Sequence, residues 1–209
     1  MREQNIEEII EESINNITKT YGNNELAFLA MQGKIELQLR DKIAWYLEQN
    51  IPNNYCVKRE YNIPGKDLLC RCDLAILDKN NKMQPVCLIE FKAHSAATFE
   101  KGYINKCKND IAKMQDIAQG ITSTPEIYYI FFQTEHQGTL PEDNGLIAYY
   151  GIIKNALNKN LGVNDIHKQW DDNYQDIGTI NKITINAGEY YGLKVYIHTM
   201  ILKYDKMKP

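Results

Sequence analysis

The sequence predicts a mixed α/β fold, with helices flanking a single sheet. Three observations carry that expectation. The chain has 209 residues, which at about 150 residues per domain is one ordinary domain with an elaborated edge. Hydrophobic residues make up 44% and charged residues 24%, close to globular averages, which excludes wholesale disorder, collagen and coiled-coil rods. The hydrophobic period also changes along the chain, from helical to strand-like and back, in the order helix, three strands, helix, strand.

Residues 5–18 (NIEEIIEESINNIT) read as a short acidic amphipathic helix, broken by Tyr21-Gly22-Asn23-Asn24. A longer helical pattern covers 25–49, with Gly33 as a kink point. In its second half Ile35, Leu39, Ile43 and Tyr46/Leu47 form one apolar stripe. Asn50-Ile51-Pro52-Asn53-Asn54 ends it. Residues 55–63 alternate loosely, and Pro64-Gly65-Lys66-Asp67 signals a turn. The runs 68–77 (LLCRCDLAIL) and 85–93 (PVCLIEFKA) are nearly continuous and apolar, as suits strands covered on both faces. Helix returns at 103–119, with Ile104, Cys107, Ile111, Met114 and Ala118 along one stripe. Residues 126–133 (EIYYIFFQ) predict another strand, 134–145 a loop and 146–161 a helix. A polar stretch with Trp170 and Tyr174 follows, and then two strands, 180–186 and 193–203, turning at Asn186-Ala187-Gly188-Glu189.

No run approaches the roughly 20 apolar residues of a membrane helix, and the acidic N-terminus lacks the apolar core of a secretory signal. A cytoplasmic protein with no membrane partner is therefore expected. Five cysteines, an odd number, argue for reduced thiols. Cys70-x-Cys72 invites a zinc reading but lacks the usual second pair, and cysteines on one face of an apolar strand behave as small hydrophobes. The net charge of −3 hides an asymmetry: residues 1–33 carry −4, residues 34–113 carry +4 and residues 114–209 carry −3. The basic middle segment is compatible with phosphate contacts and equally with a solvated face.

Two of the apolar strands contain charges. Asp73 interrupts LLCRC-D-LAIL, and Glu90 with Lys92 interrupts VCLI-E-F-K-A. A buried carboxylate costs several kcal/mol unless it is paired or bound to metal. Period-2 geometry puts Glu90 and Lys92 on one face and Phe91 on the other. If 68–77 and 85–93 pair as a hairpin, Asp73 lies near Glu90, and two converging carboxylates make a hard-oxygen site suited to Mg²⁺. A neighbouring ammonium can orient water and offset phosphoryl charge.

Asp73, a gap of 16 residues, then Glu90-Phe91-Lys92 resembles the PD-(D/E)xK nuclease superfamily. The predicted element order is likewise similar to its restriction-endonuclease-like αβββαβ core. The resemblance spans residues 34–133, leaving 1–33 as an N-terminal helical extension and 134–209 as a C-terminal α+β hairpin elaboration. It implies Asp73 and Glu90 as metal ligands, the Phe91 carbonyl as a third metal oxygen, and Lys92 as the lysine of the attacking water. Glu36 matches the extra carboxylate that many members place near the metal. Lys108 and Gln115 resemble auxiliary site positions on the second helix. The implied activity is Mg²⁺-dependent, or Mn²⁺-dependent, endonucleolytic hydrolysis of DNA, restriction-like or repair-like. A homodimer is implied by analogy, since cutting both strands of a duplex takes two sites. Cys72 stands where the motif name places Pro. Gln115 is followed four residues on by Gln119, which does not support the exonuclease branch with its Gln-x-x-x-Tyr.

Several residues keep a plainer reading beside the functional one. Glu36 also fits a solvent-facing helix glutamate paired with Arg40 at i+4. Arg71 can approach a phosphate or simply neutralise Asp73. Glu60 reads as a strand-edge charge, and His94, on the Glu90 face, as a structural histidine or a base. Lys101, Lys106, Lys108 and Lys113 give the second helix basic character compatible with phosphates. A catalytically inactive module of the same fold, binding nucleic acid or protein, and an RNA-directed nuclease are the competing functional classes.

Overall fold

The structure is a computed structural model that describes residues 5–62, 71–95 and 101–205, the side chains of 101 and 102 excepted. The Pro64–Asp67 turn, Cys70 and Lys101 side-chain readings lie outside those residues. The elements are α1 (Ile6–Asn15), a 3-10 turn (Ile17–Thr20), α2 (Glu25–Gln32), α3 (Glu36–Asn50), β1 (Tyr55–Asn62), β2 (Arg71–Asp78) and β3 (Gln84–Ser95). They continue as α4 (Lys101–Gln119), β4 (Glu126–Gly138), α5 (Tyr150–Lys159), α6 (Val163–Tyr174), β5 (Gly178–Tyr190) and β6 (Leu193–Tyr204). One mixed six-stranded sheet runs in the order β1-β2-β3-β4-β6-β5. Only β3 and β4 are parallel, joined through α4; the other neighbours are antiparallel.

Helices cover both faces. Ile9, Ile10 and Ile14 of α1, Leu26 and Met31 of α2, Leu39 and Ile43 of α3 and Ile153 of α5 pack on Ile76, Ile89, Phe91, Ile130 and Ile197. On the other face Met114 and Ile117 of α4 meet Leu88 and Ile127, while Cys107, Ile111 and the α6 residues Ile166, Trp170 and Tyr174 meet Phe131 and Met200. The near-continuous apolar composition of β2, β3 and β4 follows from this double cover. Among the described residues no helix is long and apolar enough to cross a membrane.

Local chemistry sets the element ends. Asn5 caps α1 in a capping box with Glu8. The pattern at 25–49 is two helices, not one kinked helix, because the backbone turns fully extended at Gly33. The strand at 126–133 runs on to Gly138 instead of entering a loop, since Thr134, Glu135 and His136 pair with Ile197, Tyr196 and Val195 and are buried. The polar stretch after 161 is the helix α6, whose Ile166, Trp170 and Tyr174 recur at i, i+4 and i+8 and are buried. The last hairpin turns at Tyr191-Gly192, both at positive φ (53° and 73°) as a type I′ turn requires. Asn186–Gly188 is instead a bulge, with Gly188 at φ 104° and its N–H held by Asn186 Oδ1 at 3.0 Å.

Candidate functional site

The β2–β3 ladder ends at the pair Leu74–Ile89. The next two residues across the gap are Asp73 and Glu90, and here side chains replace the ladder. The Asp73 N–H donates to Glu90 Oε2 at 3.3 Å, and the Phe91 N–H donates to Asp73 Oδ2 at 2.9 Å. Two residues further along β3, the Ala93 N–H donates to Glu36 Oε2 at 2.9 Å, from the first turn of α3. Meanwhile β2 stays with β1 through Cys72–Tyr61 and Arg71–Asn62, so those two strands leave β3 together. The exposed edge of β3 is thus capped by carboxylates from β2 and α3. An extended residue sends its N–H and C=O to the same edge, so the Phe91 carbonyl faces this opening as well.

The backbone explains why Asp73 lies in the plane of the sheet. Its partner position on β1 is Glu60, which sits at φ 50°, a left-handed conformation uncommon for a side-chain-bearing residue. The faces of β1 and β2 exchange across this point. Leu74 and Ile76 belong to the α1–α3 side, whereas Cys72 packs with Tyr61, Ala75 and Leu77 on the α4 side. Asp73 stands at the crossover and turns towards neither layer. Arg71 and Asp73, two residues apart, therefore do not share a simple strand face.

Lys92 and Glu90 lie on the α4 side of β3. Lys92 Nζ is 3.1 Å from Glu90 Oε1 and 3.4 Å from Asp110 Oδ2 of α4. Glu90 is 7% exposed; burial first, and then the charge of Asp73, raise its carboxyl to about 6 against the pull of Lys92. Burial works against the Lys92 ammonium, but Glu90 and Asp110 outweigh it and hold the pKa above its ordinary value. Behind the opening lies Arg40 of α3, 4% exposed. Its guanidinium binds Glu60 Oε1, reaches Asp41 Oδ1 at 3.2 Å and stands 3.5 Å from Asp73 Oδ1. Arg40 and Glu36 do not pair with each other. Arg71 Nε pairs with Glu60 Oε2 at 2.8 Å, and Lys113 Nζ donates to the Arg71 carbonyl at 3.0 Å.

The structure thus brings Asp73, Glu90, Phe91, Lys92 and Glu36 to one strand edge, with Arg71 at its border. It does not bring Lys108 and Gln115 there. At 100° per residue, Asp110 and Lys113 occupy one flank of the buried α4 stripe, and Lys108 and Gln115 the other. His94 makes an edge-on contact with Tyr103, ring centres 4.0 Å apart. Sequence reasoning gave Arg40 only as a helix partner of Glu36, passed over Asp110, and placed Lys113 only among the helix lysines compatible with phosphates. The α4 stripe divides the helix into these two flanks but does not say which of them meets β3.

Among the described residues no three His, Cys, Asp or Glu side chains converge as a ready-made metal cluster. The oxygens at the opening are two carboxylates and one backbone carbonyl, a hard donor set of the kind Mg²⁺ uses while keeping several of its waters. No protein-family model matches the sequence, and no curated protein or solved structure matches this chain.

Proposed function

We propose that this protein is a Mg²⁺-dependent phosphodiesterase that cuts DNA endonucleolytically, on a restriction-endonuclease-like core running from α3 through β1, β2, β3 and α4 to β4. The observation that carries the proposal is the opened β2–β3 edge, where Asp73 and Glu90 replace the main-chain ladder and Lys92 stands beside Glu90. The acids that cap these main-chain N–H groups also bring two hard-oxygen donors to one point of the strand edge, as a divalent cation requires. Asp73, Glu90 and the Phe91 carbonyl would hold the cation, with Glu36 as an outer carboxylate. When bound, the cation supplies Lewis-acid polarisation of a phosphoryl oxygen. The Lys92 ammonium, braced by Asp110, orients a water and offsets charge developing at phosphorus. Arg71 and Lys113 flank the opening as phosphate contacts.

Plasmid cleavage with Mg²⁺ tests the assignment. Wild type should cut, and Lys92→Ala should lose about two orders of magnitude or more, the scale of general acid–base contributions. Robust cutting by Lys92→Ala, or by wild type in excess EDTA, removes these roles. Running a matched RNA alongside separates a DNA enzyme from an RNA-directed one.

One observation favours a second reading, a nuclease-fold module without turnover. The Arg40 guanidinium already stands at Asp73 Oδ1 and offsets its charge without a cation. Calorimetry decides. Absence of Mg²⁺ or Mn²⁺ binding, with DNA affinity unchanged in Asp73→Ala, is the signature of the passive module.

A further inference from the structure

β5 is the last strand of the sheet, and its outer edge is open. The Asp205 N–H donates to the Ile177 carbonyl directly opposite it at 3.4 Å, and the same register continues without a shift to Asn186. Odd-numbered residues of this stretch therefore turn their main-chain groups to β6, while Ile180, Lys182, Thr184 and Asn186 turn theirs outward. Among the described residues no main-chain partner meets those outward groups.

Thr184 also starts a relay into the core. The residue is exposed, and its Oγ1 lies 3.0 Å from Nδ1 of His198, directly opposite on β6. His198 Nε2 is 2.6 Å from Glu135 Oε2 on β4, and Gln137 Nε2 donates to the other carboxylate oxygen at 2.6 Å. His198 is 1% exposed and Glu135 5%. Burial pushes the Glu135 carboxyl up, but the hydrogen bonds from His198 and Gln137 outweigh it and hold it below its ordinary range. It is therefore ionised at neutral pH and accepts. The imidazole proton then sits on Nε2, which leaves Nδ1 to accept from the Thr184 hydroxyl. A hydroxyl on a neutral imidazole that a buried carboxylate fixes is the arrangement that activates a nucleophile. The relay ends on an exposed residue whose own N–H is open, whereas a partner needed only to satisfy Nδ1 gains nothing from either. Lys182, two residues back on the same face, adds an ammonium 2.6 Å from Asp171 Oδ2 of α6.

We propose that Thr184, His198 and Glu135 form a second catalytic site, separate from the opened β3 edge, which hydrolyses carboxylic esters with an extended, peptide-like acyl group. Such a group adds to the β5 edge as a further strand. Its carbonyl oxygen accepts from the Thr184 N–H, which stabilises the oxyanion that forms there, with the Lys182 ammonium as the neighbouring positive charge. Thr184 Oγ1 bonds to the carbonyl carbon while its proton passes to His198 Nδ1. The bond to the leaving alcohol breaks, and the alcohol takes that proton. Water then repeats the sequence on the Thr184 ester: it gives a proton to His198, its oxygen bonds to the carbonyl carbon, and the acid leaves as Thr184 recovers its proton.

The full chain, in EDTA so that the proposed nuclease is silent, is mixed with the p-nitrophenyl ester of an N-acetylated tripeptide and, separately, with p-nitrophenyl acetate. Release of p-nitrophenolate should exceed the background, and acid quenching during turnover should trap an acyl group that peptide mass spectrometry places on Thr184. Thr184→Val, at an exposed position, should abolish both signals, and Thr184→Ser should keep them. Glu135→Gln should lower the rate about hundredfold or more, because it no longer fixes the imidazole tautomer. The peptidyl ester should react about tenfold faster than the acetate or better, since its acyl chain supplies remote binding energy. Acylation confined to lysines, or release unchanged in Thr184→Val, overturns the proposal. Glu135→Gln at the wild-type rate does the same, and where that variant does not fold, Thr184→Val against Thr184→Ser decides. Equal rates for the two esters overturn the assignment of the acyl group to the β5 edge.

Discussion

Arg40 shows how a single side chain organises the candidate site. It is nearly sealed from solvent, yet it faces Asp41, Glu60 and Asp73 at once. Sequence spacing made it the partner of Glu36, one helical turn away, a contact worth a few tenths of a kcal/mol. The fold offers both residues better partners: a main-chain N–H at Ala93 for Glu36, and three carboxylates for Arg40. Pairwise spacing within one helix does not encode those long-range choices. Removing the guanidinium leaves Asp73 without its cation and Glu60 with Arg71 alone, in a partly buried place, so Arg40→Leu should cost about 3 kcal/mol. Chemical denaturation of the variant measures this as a lowered midpoint at unchanged slope. If a cation binds Asp73, adding Mg²⁺ should recover part of the loss, because it supplies positive charge at the same carboxylate. An Arg40→Leu protein as stable as wild type would show that the three acids are satisfied without the guanidinium.

At the scale of elements, the chain announced its periodic segments and concealed its interruptions. The strands 85–93 and 126–133 were legible as short, mostly apolar runs and the helix at 103–119 by its apolar stripe. The carboxylates of the candidate site were legible for the opposite reason, as charges that break an apolar run. What could not be read was which flank of α4 meets β3. The stripe from Ile104 to Ala118 leaves two polar flanks, and the choice between Asp110/Lys113 and Lys108/Gln115 depends on the crossover between β3 and β4. Nor could the strand beyond 133 be read, since Glu135 looked like a loop residue. In the structure burial pushes its carboxyl upward, but hydrogen bonds from His198 (2.6 Å) and Gln137 outweigh this and hold it below the usual range. The same strands make a packing prediction. A Cβ added at Gly178, where β5 begins, would lie 2.0 Å from the Lys203 carbonyl oxygen. Backbone cannot yield as a side-chain end can, so Gly178→Ala should cost about 2–3 kcal/mol. Thermal unfolding should show a drop of several degrees, and an unchanged midpoint would mean the edge strand moves freely away.

For the molecule as a whole, the opened edge links stability, pH and cation binding. The Glu90 carboxyl is raised from 4.5 to about 6 on folding, so the native state holds this proton more tightly than the unfolded chain does. The associated stability is fully present below about pH 4.5 and is lost as pH rises through 6. A shift of that size corresponds to about 2 kcal/mol. Glu90→Gln cannot ionise and should escape the loss, so its stability relative to wild type should rise by about 2 kcal/mol between pH 4.5 and 7.5. Stability curves of the two proteins across that range test the sign directly, and a constant difference would mean that Glu90 titrates normally. A cation bound at the edge favours the ionised carboxylate and competes with the proton. Mg²⁺ should therefore stabilise wild type little at pH 5 and increasingly above pH 6, by the mass-action amount its affinity sets, and Glu90→Gln should lose most of that gain. The fold would then be carrying an ionised Glu90 at neutral pH at a cost to its own stability, offset only when the cation arrives, as expected of a carboxylate retained for chemistry and not for packing.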